Sequence, residues 1–205
     1  MIYFVVERGT DMASNFFAMI SRLKYIDRWA LMRNTHPENL SEHCMETACI
    51  AHALAVIGNR RLGKSYNVER TALLGLYHDA PETLTGDMPT PVKYYNPDIR
   101  EAYAKVEQSA CEHLVSMLPD DLRGDFSPFF VRDQSDWELW RLVKAADKIC
   151  AYIKCIEEKK AGNTEFDRAA EFTLKAIEEL AVPEAEEFMK EFLHGYELTL
   201  DEIKE

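Results

Sequence analysis

The amino-acid sequence predicts an all-α fold in a single domain, and three observations predict it. Apolar residues recur at helical spacing along most of the chain, helix start and stop signals flank those stretches, and alternating β-branched runs are missing. Size agrees with one domain: 205 residues, 47% of them apolar, suffice for one sizeable core and do not demand a second. No internal repeat or low-complexity linker divides the sequence.

The elements follow in order. Asn39, with Glu42 three residues on, has the form of a capping box and opens an Ala-rich helix running to about Gly58. A second helix starts near Val68 and carries Leu73, Leu74, Leu76 and Tyr77. Pro81 lacks an N–H and clashes with the carbonyl four residues back, so this helix should end or bend near Asp79. Residues 85–91 hold two prolines and a glycine and read as a loop. Another helix spans about Pro97 to Met117, and Leu118 begins a short connection or a further helix. From Asp136 to Lys160, the residues Leu139, Val143, Ala146, Cys150 and Ile153 keep helical spacing, with Gly162 where a C-terminal glycine cap belongs. The stretch from Glu165 to Glu205 is charged and amphipathic, consistent with one or two closing helices.

Charge and composition exclude several classes of partner. With 24 Lys and Arg against 36 Asp and Glu, the formal charge is -12, and such a surface repels duplex DNA and long RNA. Small anions remain acceptable substrates, because one metal ion and a few arginines reverse the field inside a cleft. No apolar stretch approaches the roughly 20 residues that span a bilayer. Residues 1–6 are apolar but lack a basic flank and a small-residue cleavage site, so no signal peptide is read. The five cysteines, Cys44, Cys49, Cys111, Cys150 and Cys155, form no CxxC pair and read as reduced, structural residues of a cytoplasmic protein.

Four residues stand out as candidates for chemistry: His43, the adjacent pair His78 and Asp79, and Asp147. His43 shares a helix face with Thr47, Ile50, Leu54 and Ile57 and so points inward. Asp147 lies beside the stripe of Val143 and Cys150, where a desolvated carboxylate needs a partner. Two imidazoles and two carboxylates form the mixed N/O donor set of a divalent first-row metal. Spacing alone leaves the metal reading and a hydrogen-bonded-core reading about even.

Further residues carry a resemblance. The order His43, His78-Asp79, Asp147 resembles the H…HD…D signature of the HD superfamily of helical metal-dependent phosphohydrolases. Ser21 to Lys24, Arg28 to Asn34, Glu38 to His43, Tyr77 to Asp79, Glu82, Thr85 to Tyr94, Leu142 to Asp147 and Ala151 to Cys155 are similar to the bacterial HD-domain 5′-deoxynucleotidases. The similarity runs from about Asn15 to the C-terminus. It implies an HD-type helical bundle, a divalent metal, and hydrolysis of 2′-deoxyribonucleoside 5′-monophosphates by a homodimer. It also implies roles: His43, His78, Asp79 and Asp147 as metal ligands and Glu82 as the acid/base group. Arg28 would orient the phosphate, Trp29 would pack against the substrate, and Asp87 with Met88, Pro89 and Thr90 would face the nucleoside. Cobalt or manganese leads as the ion, with zinc or copper as further candidates.

Residues 1–11 have no counterpart in the family pattern and read as an N-terminal extension, with Met12 an alternative start. Two other readings stay open at this point. One is an HD enzyme acting on nucleoside triphosphates or cyclic nucleotides. The other is a helical binding protein with a closed, structural metal site.

Overall fold

The structure is a computed structural model that describes residues 13–204 apart from 94 and 132; the side chain of Thr90 also lies outside the description. The alternative start at Met12 and the extension over residues 1–11 fall outside the described residues. The chain folds as helices in the order α1 (Phe16–Ile20), α2 (Leu40–Arg61), α3 (Val68–Tyr77), α4 (Glu82–Thr85), α5 (Thr90–Lys93) and α6 (Pro97–Ser116). It continues with α7 (Asp120–Phe126), α8 (Trp137–Lys160), α9 (Asp167–Leu180), α10 (Pro183–Phe192) and α11 (Leu200–Ile203), with short 3-10 turns between some of them. Among the described residues the only strand-like pairing is one isolated bridge, Asp27 with Asn39.

Helix α2 starts where the capping box predicts. The Asn39 side chain accepts from the backbone N–H groups of Ser41 and Glu42, while the Glu42 carboxylate accepts from the Asn39 N–H. The helix runs past Gly58 to Arg61, one turn beyond the expected end. Helix α8 ends as predicted: Asn163 N–H donates to the Glu158 carbonyl and Gly162 N–H to the Lys159 carbonyl, with Gly162 at φ 82°. That pattern is a Schellman cap, and it requires a left-handed residue at Gly162.

Two expectations need correcting. The segment 85–91 is not wholly a loop: Thr85 closes α4, and α5 begins at Thr90, so the irregular stretch is residues 86–89. Pro91 sits in the first turn of α5, where a missing N–H costs no helical hydrogen bond. The C-terminal stretch holds three helices rather than one or two, because Ala181 adopts a left-handed conformation after α9 and Pro183 starts α10.

Helix α2 packs centrally against α3 and α8, with α10 behind it. The main core draws Ile50 and Leu54 from α2, Leu74 from α3, Leu142, Ile149 and Ile153 from α8, and Phe188 from α10. A second cluster, Phe16, Ala80, Leu114, Leu118 and Phe130, sits under the end of α3. Gly75 on α3 allows the α2–α3 contact: a Cβ there would lie 2.9 Å from Ala48 Cα. At that separation one side chain near the start of α2 meets one just past the end of α3.

Candidate metal centre

His43 and His78 are the side chains that meet, with ring centroids 5.1 Å apart. His43 lies at the fourth position of α2, fully buried. Helix α3 stops at Tyr77, and Pro81, with no N–H to offer the Tyr77 carbonyl, accounts for the stop. Tight turns follow instead, with Ala80 N–H donating to Tyr77 and Glu82 N–H to Asp79. His78 and Asp79 therefore leave the helix together, and Asp79 Oδ2 lies 3.1 Å from His78 Nε2 and 3.4 Å from His43 Nε2. One donor atom from each of His43, His78 and Asp79 falls within a 4.8 Å group. Asp147 joins from α8, with Oδ1 3.3 Å from His43 Nε2 and Oδ2 3.1 Å from Lys148 Nζ.

Electrostatics and hydrogen bonding make this a place for a cation. His78 Nδ1 lies 2.7 Å from the Gly75 carbonyl, which can only accept, so Nδ1 carries a proton and Nε2 faces the cluster. Both ring nitrogens of His43 and Nε2 of His78 are buried without a hydrogen-bond partner. Burial works against the His78 imidazolium, but the Asp79 carboxylate outweighs it and raises the His78 pKa well above its usual value. Burial likewise opposes ionisation of Asp79 and Asp147. The imidazoles, with Lys148 beside Asp147, nonetheless hold both carboxyls below the usual range. Unpartnered imidazole nitrogens facing two ionised carboxylates fit a divalent metal by both geometry and donor type.

Glu82 opens α4 and is buried, with Oε2 lacking a partner. Burial first, then the charges of Asp79 and Asp87, push its carboxyl up to about 9. Asp87 is half-buried on the 86–89 loop, and its carboxyl is raised by burial while the nearby Arg28 pulls it down. Met88 and Pro89 share that loop, half-buried, and Thr90 begins α5.

Arg28 and Trp29 come from the loop ahead of α2. Arg28 Nη1 donates to Glu38 Oε1 at 2.6 Å, and Nη2 lies 4.0 Å from Asp147 Oδ1. Burial disfavours the guanidinium charge, but Glu38, Asp147 and Asp79 together raise its pKa above the ordinary arginine value. Trp29 has a φ of 58°, unusual for a residue with a Cβ and a strain of about 1–3 kcal/mol. Its ring packs on Phe166 at 5.3 Å and under the Arg28 guanidinium, and its Nε1 is buried without a partner.

The loop is held from behind by residues that sequence reasoning missed. Glu158 of α8, 1% exposed, accepts from Thr35 N–H and Oγ1, from His36 N–H and from Asn163. Lys154 donates to Glu158 and to the His36 carbonyl. Burial opposes ionisation of Glu158, yet these donors keep its carboxyl below the usual range. The i,i+4 spacing of Lys154 and Glu158 was visible in the sequence, but nothing there distinguished a buried pair from a solvated one. Glu38 stood in the sequence only as the start of the motif from Glu38 to His43 and was given no role, although its place just ahead of a recognisable capping box was available as a signal.

Fold and site together define a class, the HD-domain phosphohydrolases. An HD-domain phosphohydrolase from Listeria innocua matches with a TM-score of 0.77 over 93% of this chain and 91% of that one, at 22% identity. The cyanophage S-2L HD phosphohydrolase, solved with dA and one catalytic Zn²⁺ ion, matches with a TM-score of 0.62 over 89% and 97%, at 21% identity. Residues 15–196 match the family model described as 5′-deoxynucleotidase YfbR-like. A 5′-deoxynucleotidase of Vibrio atlanticus is 50% identical over 93% of this chain and 98% of its own length. The 5′-deoxynucleotidase YfbR of Salmonella paratyphi B is 49% identical over 94% and 96%. The chain belongs to the YfbR-like 5′-deoxynucleotidase family.

Proposed function

We propose that this protein is a metal-dependent phosphomonoesterase that hydrolyses 2′-deoxyribonucleoside 5′-monophosphates to deoxynucleoside and phosphate. The observation that carries the reading is the convergence of His43, His78, Asp79 and Asp147 in a chain that shares about half its residues with 5′-deoxynucleotidases along nearly its full length. His43 and His78 through Nε2, with Asp79 and Asp147, are the ligands of one divalent ion. Bound there, that ion supplies Lewis-acid charge to a phosphate oxygen, lowers the pKa of water and favours the ionised form of Glu82.

The chain's own groups do the rest. Arg28, permanently charged and fixed by Glu38, offers its remaining N–H groups to the phosphate as a planar fork. Glu82 takes a proton from the attacking water as the new O–P bond forms. It returns that proton to the 5′ oxygen as the P–O5′ bond breaks. Trp29 supplies an apolar wall beside the sugar, and Asp87 accepts from a sugar hydroxyl while Met88, Pro89 and Thr90 line the nucleoside side.

Cobalt or manganese suits this donor set, as do zinc and copper, and availability decides among them. No described helix is long and apolar enough to cross a membrane, and the acidic surface disfavours nucleic acid polymers, in keeping with a cytoplasmic enzyme of small nucleotides. We take the chain to act as one domain, with residues 1–11 as an extension. The family resemblance implies a homodimer, and sedimentation of the purified protein tests that state.

The decisive experiment is phosphate release by metal-stripped protein, with Co²⁺, Mn²⁺, Zn²⁺ or Mg²⁺ restored singly and dAMP, AMP, dATP and a cyclic nucleotide as substrates. Metal-dependent release from dAMP with little from the others is expected. Equal rates on AMP would overturn the sugar selectivity, and preference for dATP or a cyclic nucleotide would move the protein to another HD substrate class.

A further inference from the structure

Glu38 occupies a place that neither the signature nor the metal set accounts for. Asn39 caps α2, so Glu38 stands at the position before the cap and His43 at the fourth helical position. At helix starts these two positions often pack on each other, and apolar side chains commonly fill them. Here the pair is a carboxylate and an imidazole. Glu38 Oε1 lies 3.7 Å from His43 Nδ1 and 2.6 Å from Arg28 Nη1. Its other oxygen, Oε2, is buried with no partner, as is His43 Nδ1.

The backbone reinforces the placement. Arg28 N–H donates to the Glu38 carbonyl at 2.8 Å, and Leu40 N–H donates to the Ile26 carbonyl at 2.9 Å. These bonds flank the Asp27–Asn39 bridge and set Arg28 opposite Glu38. A nearly buried carboxylate with one oxygen unsatisfied is costly unless it serves more than one group.

We propose that Glu38 is a positioning residue that couples the metal centre to the phosphate-binding arginine. Its carboxylate stands 3.7 Å behind His43 Nδ1, the acceptor towards which that N–H turns when Nε2 faces a metal beside Asp79 and Asp147, and it fixes the Arg28 guanidinium. The Gly75 carbonyl does the first of these for His78, so each imidazole has an oxygen behind it. An acceptor behind a ligating imidazole sets its tautomer, its orientation and its basicity. Glu38 alone of the two acceptors also holds a substrate-binding cation. The inference rests on the metal site proposed above.

The test uses the full chain with Glu38→Ala and Glu38→Gln. Metal-stripped protein is titrated with Co²⁺ and followed by visible absorption, which needs no turnover, and kcat and KM for dAMP are measured separately. Glu38→Ala is expected to weaken Co²⁺ about 10–100-fold and to raise KM more than it lowers kcat. Glu38→Gln keeps an acceptor oxygen in the same place and should recover most of the Co²⁺ affinity. If Glu38→Ala binds Co²⁺ and dAMP like the parent, Glu38 does not position either group. If both variants lose affinity only in step with a lowered thermal midpoint, its role is structural and the proposal fails. If the parent itself takes up no Co²⁺, the metal reading fails first and this one with it.

Discussion

At the scale of single residues, burial and charge give neighbouring carboxyls opposite tasks. Asp79 and Glu82 are three positions apart, yet the imidazoles hold Asp79 ionised while burial and two flanking carboxylates push Glu82 up to about 9. Groups whose environments drive their pKa values apart divide naturally into ligand and proton carrier. Glu82→Gln keeps the volume and removes the titrating oxygen, so kcat on dAMP should fall about 10²–10⁴-fold, with metal content unchanged by elemental analysis. A Glu82→Gln enzyme that turns over normally would remove Glu82 from the proton path. Loss of metal in the same variant would instead make it a ligand. The carboxylates and imidazoles themselves were readable from residue type and order. Glu38 was not singled out, because its role depends on the side chain it meets across a cap rather than on its type.

At the scale of elements, the loop bearing Arg28 and Trp29 owes its shape to α8. Glu158 and Lys154 gather the backbone of Thr35 and His36 onto that helix, and Asn163, just past the Schellman cap, closes the set. Removing one member of a buried pair costs about 3–5 kcal/mol, enough to release the loop. The pH dependence has a definite sign. The Glu158 carboxyl is lower in the folded chain than its unfolded value of about 4.3. Its stabilisation is therefore complete above that unfolded value and is lost as pH falls through the folded one. Glu158→Gln should lower the thermal midpoint clearly at pH 7, and the gap from the parent should narrow as pH drops below about 4. A gap that stays constant from pH 7 to pH 3 would show that Glu158 does not act as an ionised anchor. Helix boundaries set by caps were legible in the sequence, as Asn39 and Gly162 show. The split of the C-terminal stretch was harder to read, because Ala181 takes a left-handed conformation usually left to glycine.

At the scale of the whole molecule, the proposed ligands come from three places far apart in the chain: the start of α2, the turn after α3, and the middle of α8. The all-α class followed from helical periodicity, capping signals and the lack of alternating β-branched runs, and the H…HD…D order with its flanking residues pointed to the site. What periodicity could not supply was the approach of α2 to α3 at Gly75 and Ala48, which sets the 5.1 Å between the imidazole rings. A cation held by all three segments, as proposed, would tie the central helices together and link metal binding to global folding. Without a cation, the Asp79 carboxylate faces His78, whose pKa it raises, and Asp147 faces Lys148 and Arg28. Any ion that binds the folded chain and not the unfolded one stabilises it by mass action, about 2.7 kcal/mol at a hundredfold excess over Kd. For a domain of this size about 1 kcal/mol moves the midpoint by roughly 2–4 °C, so restoring metal to stripped protein should raise Tm by about 5–10 °C. The rise should grow with metal concentration and vanish in Asp79→Ala, whose own Tm should not respond to chelator. A metal-independent Tm in the parent, or an equal rise in Asp79→Ala, would mean that these helices meet for packing alone.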